Sequence, residues 1–259
     1  MKYLVCICLS FSIFSFSQEK VEAILIKSID LNEQTIVGID NFGILYTIKD
    51  ETFSKKENGK TITYSNVQLG NISSANVFNP LKINLFYKNF NTAIILDNRL
   101  AEIKKIDFNA IQPYKNVSHV STGYDTTLWI FNTDTQQLEL FDYKTNKIRA
   151  TTMPTVSNVL AMTSNYNFCW LLTERFLYKF NYFGSMDFKI ENKGYKAIAE
   201  DNGNLIIKGD NQLFYLSKQS EQPIPIKIEE LLINQFLVTN ETLYIYGSKK
   251  LHQYQLKIK

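Results

Sequence analysis

TTLWIFNTDTQQLELFDY, residues 126–143, holds two short apolar runs, Thr127–Phe131 and Leu138–Phe141, around a polar link. Runs of this length bounded by Asn, Asp and Thr read as two strands of a hairpin. The second strand has the form Leu-x-x-apolar, and that form recurs: Leu100-Ala-Glu-Ile103, Leu138-Glu-Leu-Phe141, Leu177-Tyr-Lys-Phe180, Leu213-Phe-Tyr-Leu216 and Leu251-His-Gln-Tyr254. The spacings are 38, 39, 36 and 38 residues. Before each lies a strand ending in a polar turn: ILDNR, IFNTD, LLTER, IIKGD and YIYGS. A sixth copy, Leu45-Tyr-Thr-Ile48, precedes Leu100 by 55 residues, an excess that a polar insertion at Lys55–Lys60 (KKENGK) would explain.

A period near 40 with about four strands per unit predicts an all-β chain folded as a β-propeller. One four-stranded blade cannot bury both faces, whereas blades stacked around an axis bury each against a neighbour. The length predicts six blades. Because the last repeat runs out soon after its third strand, Ala23–Ile29 is expected to supply the missing strand and close the ring. The inner strands are expected at Ser118–Thr122, Leu160–Ser164, Lys196–Glu200 and Gln235–Thr239. Other expected strands include Thr35–Ile39, Ile83–Tyr87, Thr92–Leu96, Phe168–Leu172, Asn204–Ile207 and Thr242–Tyr246. Ile228–Phe236 (IEELLINQF) is the best helical candidate. Trp129 and Trp170 hold matching places in successive repeats, which favours packing between blades over ligand stacking.

Residues 1–17, MKYLVCICLSFSIFSFS, read as a secretory signal peptide: Lys2, an apolar stretch, and Ser15 and Ser17 before a cut at Gln18. The stretch is short for a membrane span, and Cys6 and Cys8 lie too early for a lipoprotein signal. Residues 18–259 are then a single β-propeller domain, exported to the periplasm without a lipid anchor or transmembrane segment. Cys169 stands alone in the mature chain, so an internal disulfide is not possible, and its apolar neighbours favour a buried thiol over a reactive one.

The 259 residues carry a net charge of +3, and Arg is limited to Arg99, Arg149 and Arg175. Both argue against nucleic acid as a partner. The aromatic content, 14% of residues, suits strands.

Chemistry is sparse. His119 and His252 belong to no metal-ligating or catalytic motif. His119 falls in an expected inner strand, and His252 on a blade face. Asp201–Asn204 (DNGN) reads as a tight turn rather than a calcium loop, since the later acidic ligands such a loop requires are missing. Asp125, Asn165, Glu200 and Asn240 fall near inner-strand ends, where some propellers hold a channel cation; turn roles explain them equally well. Asn71, Asn116 and Asn240 begin sequon triplets of the kind an Asn-rich chain produces by chance. The sequence therefore predicts no catalytic residue, no metal, no cofactor and no enzyme activity.

Residues 126–143 resemble the blades of secreted bacterial propellers. NPLKINLFYKNFNTAIILDNRLAEIKKIDF (79–108) is similar to the periplasmic propeller that plugs the outer-membrane translocon of the type 9 secretion system. That resemblance implies a non-enzymatic protein-binding module whose partner is a translocon barrel at the cell envelope. Two other readings stay open: a hydrolase or lyase with a metal in the central channel, and a sensor that binds glycans or a small molecule through Tyr124, Tyr166 and Tyr182.

Overall fold

A computed structural model describes residues 20–33, 35–40 and 42–258. Residues 1–17, with Cys6 and Cys8, lie outside the described residues. The fold is all-β. After β1 (Val21–Asp30) come four four-stranded antiparallel meanders. The first is β2 (Thr35–Ile39), β3 (Leu45–Lys49), β4 (Thr52–Glu57) and β5 (Lys60–Ser65). The second is β6 (Ser74–Asn76), β7 (Ile83–Tyr87), β8 (Thr92–Leu96) and β9 (Glu102–Asp107). The third is β10 (Val117–Thr122), β11 (Thr127–Asn132), β12 (Gln137–Asp142) and β13 (Lys147–Thr151). The fourth is β14 (Val159–Ser164), β15 (Phe168–Thr173), β16 (Phe176–Asn181) and β17 (Met186–Glu191).

The remaining strands form one eight-stranded sheet. They are β18 (Ala197–Asp201), β19 (Asn204–Lys208), β20 (Leu213–Leu216), β21 (Ile224–Lys227), β22 (Gln235–Thr239), β23 (Thr242–Gly247) and β24 (Lys250–Ile258), with β1 between β21 and β24. β1 runs antiparallel to β24 from Val21↔Ile258 to Asp30↔Lys250, as the short last repeat predicts. It also pairs in parallel with β21 at Val21↔Ile226 and Glu22↔Lys227, so the first strand joins the last two units.

The middle strands carry near-continuous apolar runs because both faces are covered: TLWIFN in β11 and TAIIL in β8 are buried throughout. Sheet packs on sheet through shared apolar clusters. Tyr46 and Phe53 meet Leu85 and Ile94 between the first two sheets. Trp129 and Phe131 meet Cys169 and Leu171 between the third and fourth. Trp170 and Leu172 meet Leu205 and Ile207 beyond it. Ile36 and Ile39 meet Leu237 and Leu251, bringing the first meander against β22–β24. The two tryptophans thus fill successive inter-sheet layers. Among the short first strands, β6 touches β2 and β10, β14 touches β10 and β18, and β22 touches β18 and β2.

Two expectations fail. Ile228–Phe236 is not helical: residues 228–233 are irregular and Phe236 belongs to β22. Tertiary packing overrides the local pattern, since Ile228, Leu231 and Ile233 lie against the last sheet. The Asn234 amide donates to the Tyr246 carbonyl at 3.0 Å, and Lys208 Nζ donates to the Ile233 carbonyl at 2.7 Å. The segment sits so close to β23 that a Cβ on Gly247 would run into the Leu232 carbonyl.

The phase of the repeat is also wrong in the first two units. Leu138, Leu177, Leu213 and Leu251 open or adjoin third strands, but Leu45 opens a second strand and Leu100 precedes a fourth. Lys55–Lys60 is therefore no insertion; it is the ordinary β4–β5 hairpin, turning at Asn58 and Gly59, both with positive φ. Leu-x-x-apolar fits any strand buried on both faces, so the motif cannot tell second strands from third.

Candidate binding face and central cavity

In a meander the turns after first and third strands emerge on one side. Here that side is aromatic. Phe42 follows β2, Phe78 follows β6, Tyr124 follows β10, Tyr166 follows β14, and Tyr182 and Phe183 follow β16; all are exposed. Phe78 meets Tyr166 edge-on at 5.0 Å between centroids, Tyr124 meets Tyr182 at 5.6 Å, and Tyr182 meets Phe183 at 4.1 Å. Tyr124, Tyr166 and Tyr182 were singled out from sequence; the structure brings each to an aromatic neighbour. Phe42, Phe78 and Phe183 were missed, although Phe before Gly in NFG and YFG is an unusual place for a large apolar side chain unless it is displayed.

On the same side the first strands open on a cavity of about 440 Å³, within the range of ligand pockets. Phe42, Phe78, Val77, Met162 and Phe236 supply apolar wall; Asp40, Glu200 and Asp201 supply carboxylates. Each carboxylate is engaged locally. Asp40 accepts from the Phe42 and Ile44 amides and the Tyr46 hydroxyl. Asp201 accepts from the Asn240 and Glu241 amides at 3.0 and 2.9 Å, tying two neighbouring turns. Glu200 Oε1 accepts from Asn165 Nδ2 at 2.7 Å and from the Gly203 amide at 2.8 Å. Burial pushes the Glu200 carboxyl up, against those two donors.

A polar seam lies beside the cavity. Thr122 Oγ1 donates to Asn76 Oδ1 at 2.8 Å, Asn84 Nδ2 donates to Thr122 Oγ1 at 2.8 Å, and Asn76 Nδ2 donates to Ser121 Oγ at 3.2 Å. The Ser164 hydroxyl donates to the Thr122 carbonyl at 2.5 Å and lies 2.7 Å from the Ser121 hydroxyl. These bonds satisfy buried polar groups where three sheets converge.

The four residues set out as a possible cation shell do not converge. Asn165 and Glu200 meet, Asn240 contributes its backbone to Asp201, and Asp125 uses its carbonyl to accept from Lys82 Nζ at 2.6 Å. Among the described residues no three His, Cys, Asp or Glu side chains are grouped to hold a metal ion. Asp201–Asn204 is the β18–β19 turn, with positive φ at Asn202 and Gly203. His119 is absent from the cavity lining; burial, with Lys88 nearby, lowers it to about 4, and Ser118 Oγ lies 2.9 Å from its Nδ1. His252 Nδ1 lies 2.7 Å from Ser28 Oγ on the β1–β24 surface. Cys169 is buried, and burial raises its thiol pKa. Asn71, Asn116 and Asn240 are exposed. No helix of the described residues is long and apolar enough to cross a membrane.

No protein-family profile matches the chain, and no curated protein matches it in sequence. Solved structures do match in shape. Virginiamycin B lyase from Staphylococcus aureus, as an inactive His-to-Ala variant with quinupristin, aligns at a TM-score of 0.58 and 12% identity, covering 92% of this chain and 99% of that one. A chain of the mitotic checkpoint complex aligns at 0.62 and 10% identity, covering 89% and 94%. A streptogramin B lyase aligns at 0.55 and 12% identity, covering 93% and 98%. These neighbours are β-propeller-like, and the likeness extends to the fold of this chain.

Proposed function

We propose that the chain is a closed six-bladed propeller that binds another protein in the cell envelope and does not act as an enzyme. Six blades follow if β22–β24 with β1 count as one unit and β18–β21 as another. Closure is supported by the run of contacts among first strands, which returns from β22 to β2, and by the cluster joining Ile36 to Leu251. The observation that carries the functional reading is the row of exposed aromatics that the first four meanders display on one side. Exposed apolar patches of this kind mark interaction sites, and aromatic side chains dominate interface energetics.

The export and the periplasmic address rest on residues 1–17. The more particular role, plugging or accompanying the outer-membrane translocon of type 9 secretion, rests on the resemblance of residues 79–108, which form β7–β9 and the turns around them. The test is co-purification from envelope membranes. Tagged chain 18–259 recovers an outer-membrane barrel, and Phe42→Ala combined with Phe78→Ala and Phe183→Ala loses it while the fold is kept. Recovery with no envelope partner would reject the reading.

A second reading is a lyase or hydrolase, favoured by the 440 Å³ cavity in a fold shared with virginiamycin B lyase. Metal analysis and turnover of quinupristin decide it; a metal-free protein without turnover rejects that activity.

A further inference from the structure

The outer edge of β1 differs from the other outer strands. β5 reads KTITYS, β9 EIKKID, β13 KIRAT and β17 MDFKIE, so polar or charged residues interrupt the apolar ones. Edges are blunted in this way against pairing with other chains. β1 instead runs Ala23-Ile24-Leu25-Ile26. Ile24, Leu25, Ile26 and Ile29 are 41, 48, 52 and 45% exposed. One side of β1 is taken by β24, but β21 covers the other only at Val21 and Glu22. From Ala23 to Asp30 the outer lane holds no strand among the described residues, and a row of strand N–H and C=O groups is complemented by another extended backbone.

We propose that the occupant of this lane is the same edge of a second copy, β1 against β1, antiparallel about a two-fold axis. Such a contact is isologous and uses one patch twice. The lane has defined ends. Lys227 closes it beside Glu22, and after Asp30 the chain leaves the strand, where the Leu31 amide bonds to the Lys249 carbonyl. Full overlap of residues 23–30 sets Ile24 against the partner's Ile29, Leu25 against the partner's Ser28, Ile26 against the partner's Lys27, and Ala23 against the partner's Asp30. No like charges oppose one another. The partner's Asp30 falls next to the exposed Lys227. The bulge between Leu25 and Lys27 lies at the centre of the overlap, so the axis matches one bulge to the other. The contact uses the rim and leaves the aromatic side free.

Sedimentation and light scattering of chain 18–259 over a range of concentrations test this. A dimer is expected. Ile24→Lys with Ile26→Lys, and separately Leu25→Glu, weaken it by about tenfold or more with unchanged circular dichroism and melting temperature, because these side chains are exposed. In the unmodified chain, amide exchange over residues 23–30 slows as the dimer forms and speeds on dilution. That readout decides alone if the variants fail to fold. A monomer throughout, a dimer indifferent to both variants, or protection of 23–30 that dilution leaves unchanged would each overturn the proposal; the last would mean that the chain covers its own edge.

Discussion

The Lys115 ammonium lies 2.6 Å from Glu139 Oε2, with both side chains more than nine-tenths buried. Glu139 Oε1 accepts from Asn132 Nδ2 at 3.0 Å, so β11, β12 and the loop before β10 share one buried polar knot. Removing one partner strands a buried charge, whereas replacing both need not destabilise. Lys115→Met is expected to cost about 3–5 kcal/mol in urea unfolding. Lys115→Met with Glu139→Leu recovers most of that loss. Additive losses in the double variant would contradict the coupling.

His119 sets a pH dependence. Its pKa is lowered to about 4 by burial and by Lys88, against about 6.5 in an unfolded chain. A group that is harder to protonate when folded contributes stability above its unfolded pKa and loses it as pH falls. Unfolding free energy should therefore drop between pH 6.5 and pH 4, and His119→Gln should flatten that part of the curve. Parallel curves for the two proteins would refute the assignment.

Cys169 should be silent toward thiol reagents. It sits in the layer with Trp129 and Leu171, fully enclosed, and burial disfavours its thiolate. Ellman's reagent is expected to label chain 18–259 only after denaturant opens the fold. Stoichiometric labelling of native protein would show that the layer between the third and fourth sheets is open.

Gly247 tests the packing of the irregular segment. Gly247→Ala should destabilise the protein by about 1–3 kcal/mol, since the new methyl meets the Leu232 backbone. Thermal melting is the measurement. A neutral substitution would mean that residues 228–234 move aside freely.

Removing residues 18–30 takes away the partner of β24 along nearly its whole length. Calorimetry of the shortened chain should show a large fall in melting temperature of the whole domain. A separate low-temperature transition beside an unchanged main one would mean that β1 is an appendage.

Much of the fold was legible because strands covered on both faces leave uninterrupted apolar runs. The bounds of β2, β7 and β8 coincide with runs visible in the sequence, and β22 was read at Gln235–Thr239. The pairing of β1 with β24 followed from a missing strand. Its parallel contact with β21 did not, because two residue pairs leave no periodic trace. Leu45 misled because burial on both faces erases the difference between second and third strands; Leu100 misled because it is a buried residue of the turn before the exposed strand β9. On the aromatic side, the tyrosines between strands are legible in the sequence. Phe42 and Phe183 lie in turns, where no strand period marks a side chain as displayed, and the Asn165–Glu200 bond joins residues from different sheets.

Because β1 pairs with β24, a strand near the start of the described residues finds its complement only across all the sheets between them. The four meanders can assemble from near neighbours, but this seam must wait until residues 250–258 are in place. A pairing so remote in sequence is slow to form, so the eight-stranded sheet should be completed after the meanders.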